Sequence, residues 1–245
     1  MRPFPPQLVE NIEKFFESEG EREVGRDSYD EVFRVFHPLQ RRRELEAMIR
    51  LGRSVSPRVV CELGTANGGG LYHWCKCIES VKRVIACEMR GCPFREAFTK
   101  GLPNLDFFWW EKSSHDIPTR QALGEWLGDD LIDVLFIDGD KKNFEKDFYD
   151  FLPLVNKAGI VFMHDIQTTG KSAFERIAKK FQAVRLIDTT ESAEAAHRKI
   201  MGDDADLESD YWTGIVPPGE GYTRWLWYWR GNSAGVGVIY PGHPK

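Results

Sequence analysis

The sequence contains no apolar run long enough to span a bilayer as a helix. Its first twenty residues hold Glu10, Glu13, Glu17 and Glu19 and no apolar run of seven, so they do not read as a secretory or transit signal. Cysteine is scarce, five in 245 residues, and an odd, scattered set is not the disulfide framework of a small secreted domain. These absences point to the cytoplasm. A zinc reading of His73, Cys75, Cys77 and Cys92 is set aside, because C-x-C on a helix sends its two sulfurs to different faces. The thiols are expected as small buried apolar groups. Positive charge is also in deficit: 33 Lys+Arg against 38 Asp+Glu leave a net charge of -5, which repels a polyanion and argues against a nucleic-acid partner.

The 42% hydrophobic content suffices for one large core, so one α/β domain with extensions is expected. Leu8, Ile12, Phe15 and Phe16 recur at helical spacing, as do Leu45, Met48, Ile49 and Leu51, predicting two leading helices. Residues 1–55 are thus read as a helical extension and candidate lid, and residues 56–245 as the main domain. An apolar run from Val59 meets a glycine cluster at Gly64 and Gly68 to Gly70. Strands over 83–87, 105–110, 133–137 and 159–163 then alternate with helices over 94–100, 120–127 and 143–152. Such alternation predicts a doubly wound, mostly parallel, seven-stranded Rossmann-like sheet. A helix over 172–181 and a strand over 183–187 follow, then an insertion at about 189–222 holding Tyr211 and Trp212, lid candidates. Strand spacing over 224–230 and 235–240 predicts an antiparallel hairpin, with Trp225, Trp227 and Trp229 on one face as core or interface.

In open α/β sheets ligands bind beyond the carboxyl ends of the strands. The first strand runs into Glu62-Leu63-Gly64-Thr65-Ala66-Asn67-Gly68, where glycines admit a ligand to the backbone and a helix N-terminus follows. A glutamate two residues before Gly64, and three residues between Gly64 and Gly68, depart from the G-x-G-x-x-G dinucleotide fingerprint and disfavour a nicotinamide cofactor. Glu88, ending the second strand, is placed to accept hydrogen bonds from two ribose hydroxyls.

These segments, with Ser113 to Asp116 and Ile137-Asp138-Gly139-Asp140-Lys141, resemble class I S-adenosylmethionine-dependent methyltransferases over residues 59–166. The resemblance is to cation-dependent small-molecule O-methyltransferases and to cephalosporin-hydroxylase-like proteins. It implies that Glu62, Gly64, Thr65 and Gly68 border the methionine part of S-adenosylmethionine, that Glu88 binds the ribose, and that Ser114 and His115 lie near the adenine. Gly70 stands where such enzymes often carry a serine for the methionine carboxylate.

Chemistry is expected where Asp138 ends one strand and His164-Asp165 ends the next. Carboxylates suit a hard cation such as Mg²⁺, which could lower the pKa of a substrate hydroxyl. The resemblance implies ligands at Asp138 and at a pair that is either His164-Asp165 or Asp165-Ile166; imidazole would shift preference toward Mn²⁺, Fe²⁺ or Zn²⁺. Alternatively, the carboxylates only cap turns and orient Lys141. Lys141 matches the family's general base and would need a depressed pKa; His164 is the rival base. The expected activity is methyl transfer to a hydroxyl of a small metabolite. Rivals are a nucleic-acid methyltransferase, a non-catalytic cofactor-binding module and an Fe²⁺ oxidation centre. The oligomeric state stays open, a homo-oligomer included.

Overall fold

Strands covered on both faces form from apolar runs, and Val134–Ile137 and Ile160–Met163 at the centre of the sheet are such runs. A computed structural model describes residues 7–19, 35–36, 40, 42–185 and 235–245 of the chain. Helices α1 (Gln7–Glu19) and α2 (Arg42–Ser54) come first. Then β1 (Val59–Leu63), α3 (Gly69–Cys77), β2 (Arg83–Cys87), α4 (Arg95–Gly101) and β3 (Asp106–Trp110) alternate. The alternation continues through α5 (Ile117–Leu127), β4 (Ile132–Ile137), α6 (Phe144–Phe151), β5 (Val155–His164) and α7 (Lys171–Ala178). Strands β6 (Phe181–Arg185) and β7 (Val236–Pro244) complete a seven-stranded sheet ordered β3-β2-β1-β4-β5-β7-β6.

Strands β3, β2, β1, β4 and β5 pair in parallel, and β7 lies antiparallel between β5 and β6. The strand order reverses at β1, opening the crevice between β1 and β4 where doubly wound sheets bind ligands. Alternate strand residues feed two cores. Val60, Val134, Phe136, Ile160 and Phe162 meet α1 to α4, while Cys61, Leu135, Ile137, Val161 and Met163 meet α5 to α7. On the first face Phe36 stacks on Tyr72 at 5.2 Å, and Phe15 meets the same ring edge-on at 5.2 Å. That cluster fixes α1 against the sheet's helical cover.

Several boundaries move. Helix α5 begins at Ile117 rather than Arg120, because Asp116 caps it by accepting from Thr119 N, and Pro118 fits the first turn. Strand β5 begins at Val155 rather than Gly159, beside the register shift between Ile132 and Val134. Helix α7 stops at Ala178, and Phe181 belongs to β6, where its ring meets Phe148 edge-on at 5.4 Å. The insertion at 189–222, Tyr211, Trp212 and the stripe of Trp225, Trp227 and Trp229 lie outside the described residues. All five cysteines are free and buried. No described helix is long and apolar enough to cross a membrane.

Candidate active site

The two-residue period of a strand determines which side chains converge here. Val60 precedes Glu62, Phe136 precedes Asp138, and Phe162 precedes His164, so three apolar rows on one sheet face each run into a polar residue. The pairing of Phe136 with both Glu62 and Phe162 keeps these three row ends in neighbouring register.

On the β1 side, Gly64 has a φ of 92°, and a Cβ there would lie 2.7 Å from the Asp138 carbonyl group. Glycine is required at that point because the loops after β1 and β4 touch. Gly64 N and Thr65 N donate to the Cys87 carbonyl at 2.8 and 3.2 Å, tying the loop to β2. Gly68, also left-handed, opens α3. Gly70 has a different reason: a Cβ on it would overlap Glu62 Oε1. A serine, which the resembling enzymes often carry here, would require the Glu62 carboxylate to shift. Glu62 itself is 1% exposed, and its Oε2 has no hydrogen-bond partner among the described residues. Burial, then the nearby charges of Asp138 and Glu88, push its carboxyl well above the ordinary range.

Glu88 accepts from Ala66 N at 2.9 Å and from Arg90 N and Nε at 3.0 and 2.9 Å. A ribose would therefore share or displace Arg90, a residue that no motif in the sequence singles out. Ser114 donates to Asp147 Oδ1 at 2.6 Å, and His115 lies 3.4 Å from Asp150. Both are held by α6. Asp147 is likewise outside every sequence motif, although an acid among Phe144, Phe148 and Phe151 breaks an otherwise apolar helix face.

On the β4–β5 side, Asp138, His164 and Asp165 present ligand atoms within 4.8 Å of one another. Of the two pairings open in the sequence, the structure brings His164 and Asp165 to Asp138, while Ile166 is buried in the second core. Asp165 has a φ of 57°, a left-handed turn that aspartate tolerates better than most residues. Lys141 Nζ binds Asp138 Oδ1 and lies 2.9 Å from Asp165 Oδ2, bridging the pair. His164 Nδ1 lies 3.3 Å from Asp138 and 3.4 Å from Asp165. Two further partners come from the N-terminal extension. Gln40 donates to Asp138 Oδ2 at 2.6 Å, and Glu44 Oε2 lies 3.4 Å from His164 Nε2. The one sequence signal for Glu44 is its place on the apolar face of α2 with Met48 and Leu51.

Burial opposes ionisation of all four groups here, but their mutual attraction outweighs it. His164 and Lys141 hold Asp138 below its usual range, and they hold Asp165 down at about 2. Asp138 and Asp165 in turn raise Lys141, and Asp138 leads the groups that raise His164 well above its ordinary value. The depressed lysine pKa wanted for a base is thus reversed while both carboxylates face it. An open cavity of about 570 Å³ lies over α6 and α7, lined in part by Lys142, Lys146 and Arg176, and reaches this cluster only at Lys141.

Residues 61–166 match a family model described as a methyltransferase domain. No curated protein matches the sequence. Among solved structures, the O-methyltransferase from Bacillus cereus in complex with SAH is 12% identical, with a TM-score of 0.54 over 95% of this chain and 99% of that one. The O-methyltransferase TomG from Streptomyces achromogenes, involved in tomaymycin synthesis and solved with SAM, is 14% identical, with a TM-score of 0.48 over 94% and 95%. The first of these likenesses establishes the shared fold, and the family match covers both the glycine loop and the Asp138–Asp165 cluster. Residues 61–166 are therefore similar to a methyltransferase domain, and the chain has the fold of the Bacillus cereus O-methyltransferase.

Proposed function

We propose that the protein is an S-adenosylmethionine-dependent O-methyltransferase, acting in the cytoplasm on a hydroxyl of a small metabolite with a divalent cation. The observation that carries this reading is the buried carboxylate of Glu62, whose Oε2 has no partner among the described residues, beside the Asp138–His164–Asp165 cluster, with Gly64 packed against Asp138. A buried carboxylate without a partner suits a cationic ligand, and the methionine end of the cofactor carries both an ammonium and a sulfonium.

Glu62 and the backbone of Gly64 to Gly68 bind that end, Glu88 takes the ribose in competition with Arg90, and Ser114 and His115 flank the adenine. The cofactor supplies a methyl group already activated on sulfur, so the protein's main work is to align the acceptor oxygen and exclude water. The donor set also fits a cation: two carboxylates and an imidazole converge, and the far nitrogen of His164 faces Glu44, a carboxylate partner common behind metal-bound histidines. The cation would act as a Lewis acid on the acceptor oxygen. With a cation held by Asp138, His164 and Asp165, the two carboxylates would hold the proton of Lys141 less firmly, and Lys141 Nζ would be the group placed to take the hydroxyl proton. Gln40 and Glu44, which reach Asp138 and His164, form part of one wall of the acceptor site.

Calorimetric titration of the chelator-treated protein with S-adenosylmethionine and S-adenosylhomocysteine, before and after addition of Mg²⁺ or Mn²⁺, tests the reading. Binding that is lost in Glu88→Ala supports it and justifies an acceptor screen; absence of binding under every condition overturns it.

A further inference from the structure

Glu44 stands 120 residues before His164 and 191 before Gly235, yet it touches both. Its two oxygens are divided between them: Oε1 accepts from Gly235 N at 3.1 Å, and Oε2 lies 3.4 Å from His164 Nε2. Gly235 also accepts from Ile166 N at 3.3 Å, so the start of β7 is fastened on both sides of the histidine. The Glu44 side chain is 6% exposed, a setting in which a carboxylate is costly unless its oxygens are engaged.

We propose that Glu44 is a positioning residue that fixes the ring orientation of His164. An imidazole can rotate by half a turn about its bond to Cβ and present carbon where nitrogen stood. With Nε2 toward Glu44, Nδ1 faces Asp138 and Asp165 at 3.3 and 3.4 Å; with the ring reversed, both contacts are lost. Gln40 plays the parallel part for Asp138, so the extension orients two of the three groups in the cluster. What the orientation serves rests on the function proposed above, whereas the orientation itself does not depend on it.

The test uses the full chain. An imidazole N–H held by a buried carboxylate exchanges slowly and resonates downfield in a proton spectrum. The parent should show such a signal, and His164→Gln should remove it and so assign it. Glu44→Gln keeps an oxygen for Gly235 N but offers His164 a donor, so the signal should vanish with little change in the thermal midpoint. Mn²⁺ affinity, read by electron paramagnetic resonance, should fall about 10–100-fold in the same variant. A signal that persists in Glu44→Gln, or is missing from the parent, overturns the proposal. If the parent binds no Mn²⁺, the cation in the functional reading fails, while the proton signal still decides the role of Glu44. Should Glu44→Gln fail to fold, Glu44→Asp, which withdraws the charge by one methylene, should move the signal; an unmoved signal there overturns the proposal.

Discussion

The β1–β2 rim and the β4–β5 rim are built from the same material, buried carboxylates at the ends of parallel strands, and treat it in opposite ways. Glu62 has an oxygen with no partner among the described residues and a carboxyl pushed up by burial. Asp138 and Asp165 are surrounded by Lys141, His164 and Gln40 and are held down. An unpartnered carboxylate suits a positive charge brought from outside; a balanced cluster must give up an internal partner before it can engage a ligand. The first rim is therefore suited to binding, and the second to chemistry that begins with a rearrangement.

The sharpest way to break that contrast is Asp138→Asn, which removes the charge that Lys141 and His164 share. Methyl-transfer kcat should fall by about a thousandfold, while S-adenosylmethionine affinity in a calorimeter stays within a few-fold; equal losses in both would erase the distinction between the rims. Gly70→Ser places a side chain on Glu62 Oε1. It should cost about 1–3 kcal/mol in chemical denaturation and weaken the cofactor, and a fully stable variant would show that Glu62 can move aside.

Glu62→Gln should stabilise the protein by about 1 kcal/mol at pH 8 while loosening the cofactor. The sign follows from the raised carboxyl. The folded chain holds this proton more tightly than the unfolded one, so the parent loses stability as pH climbs above the ordinary value of 4.5. The advantage of the variant should therefore shrink toward pH 5, and a gain independent of pH would mean that Glu62 is not the uncompensated acid described. The smallest effect is expected from Arg90→Ala. Freeing Glu88 should tighten cofactor binding by about threefold, the size of one partly exposed ion pair, and weaker binding would show that Arg90 supports the site.

The sheet was legible because a strand covered on both faces must be apolar throughout, as in Val134 to Ile137 and Ile160 to Met163. Strand ends then indicated Glu62, Asp138, His164 and Asp165, since polar residues that close such runs gather at one edge. Boundaries set by local capping, such as Asp116 before α5, were displaced by a few residues. Gln40 and Glu44 were not legible, because partners 98 and 120 residues away leave no spacing to read. The fit of Gly70 against Glu62 and the hold of Arg90 on Glu88 depend likewise on three-dimensional proximity.

The contact between Glu44 and Gly235 also has a meaning in time. During synthesis at about 5–20 residues per second, the helix bearing Glu44 leaves the ribosome roughly 10–40 s before the residue it must grip, 191 positions later. A nascent chain that has made the glycine loop and the Asp138–Asp165 cluster already holds both Glu44 and His164 but still lacks the Gly235 amide that engages Glu44 Oε1. The contact thus joins a helix made early in translation to a strand made long after the glycine loop and the Asp138–Asp165 cluster.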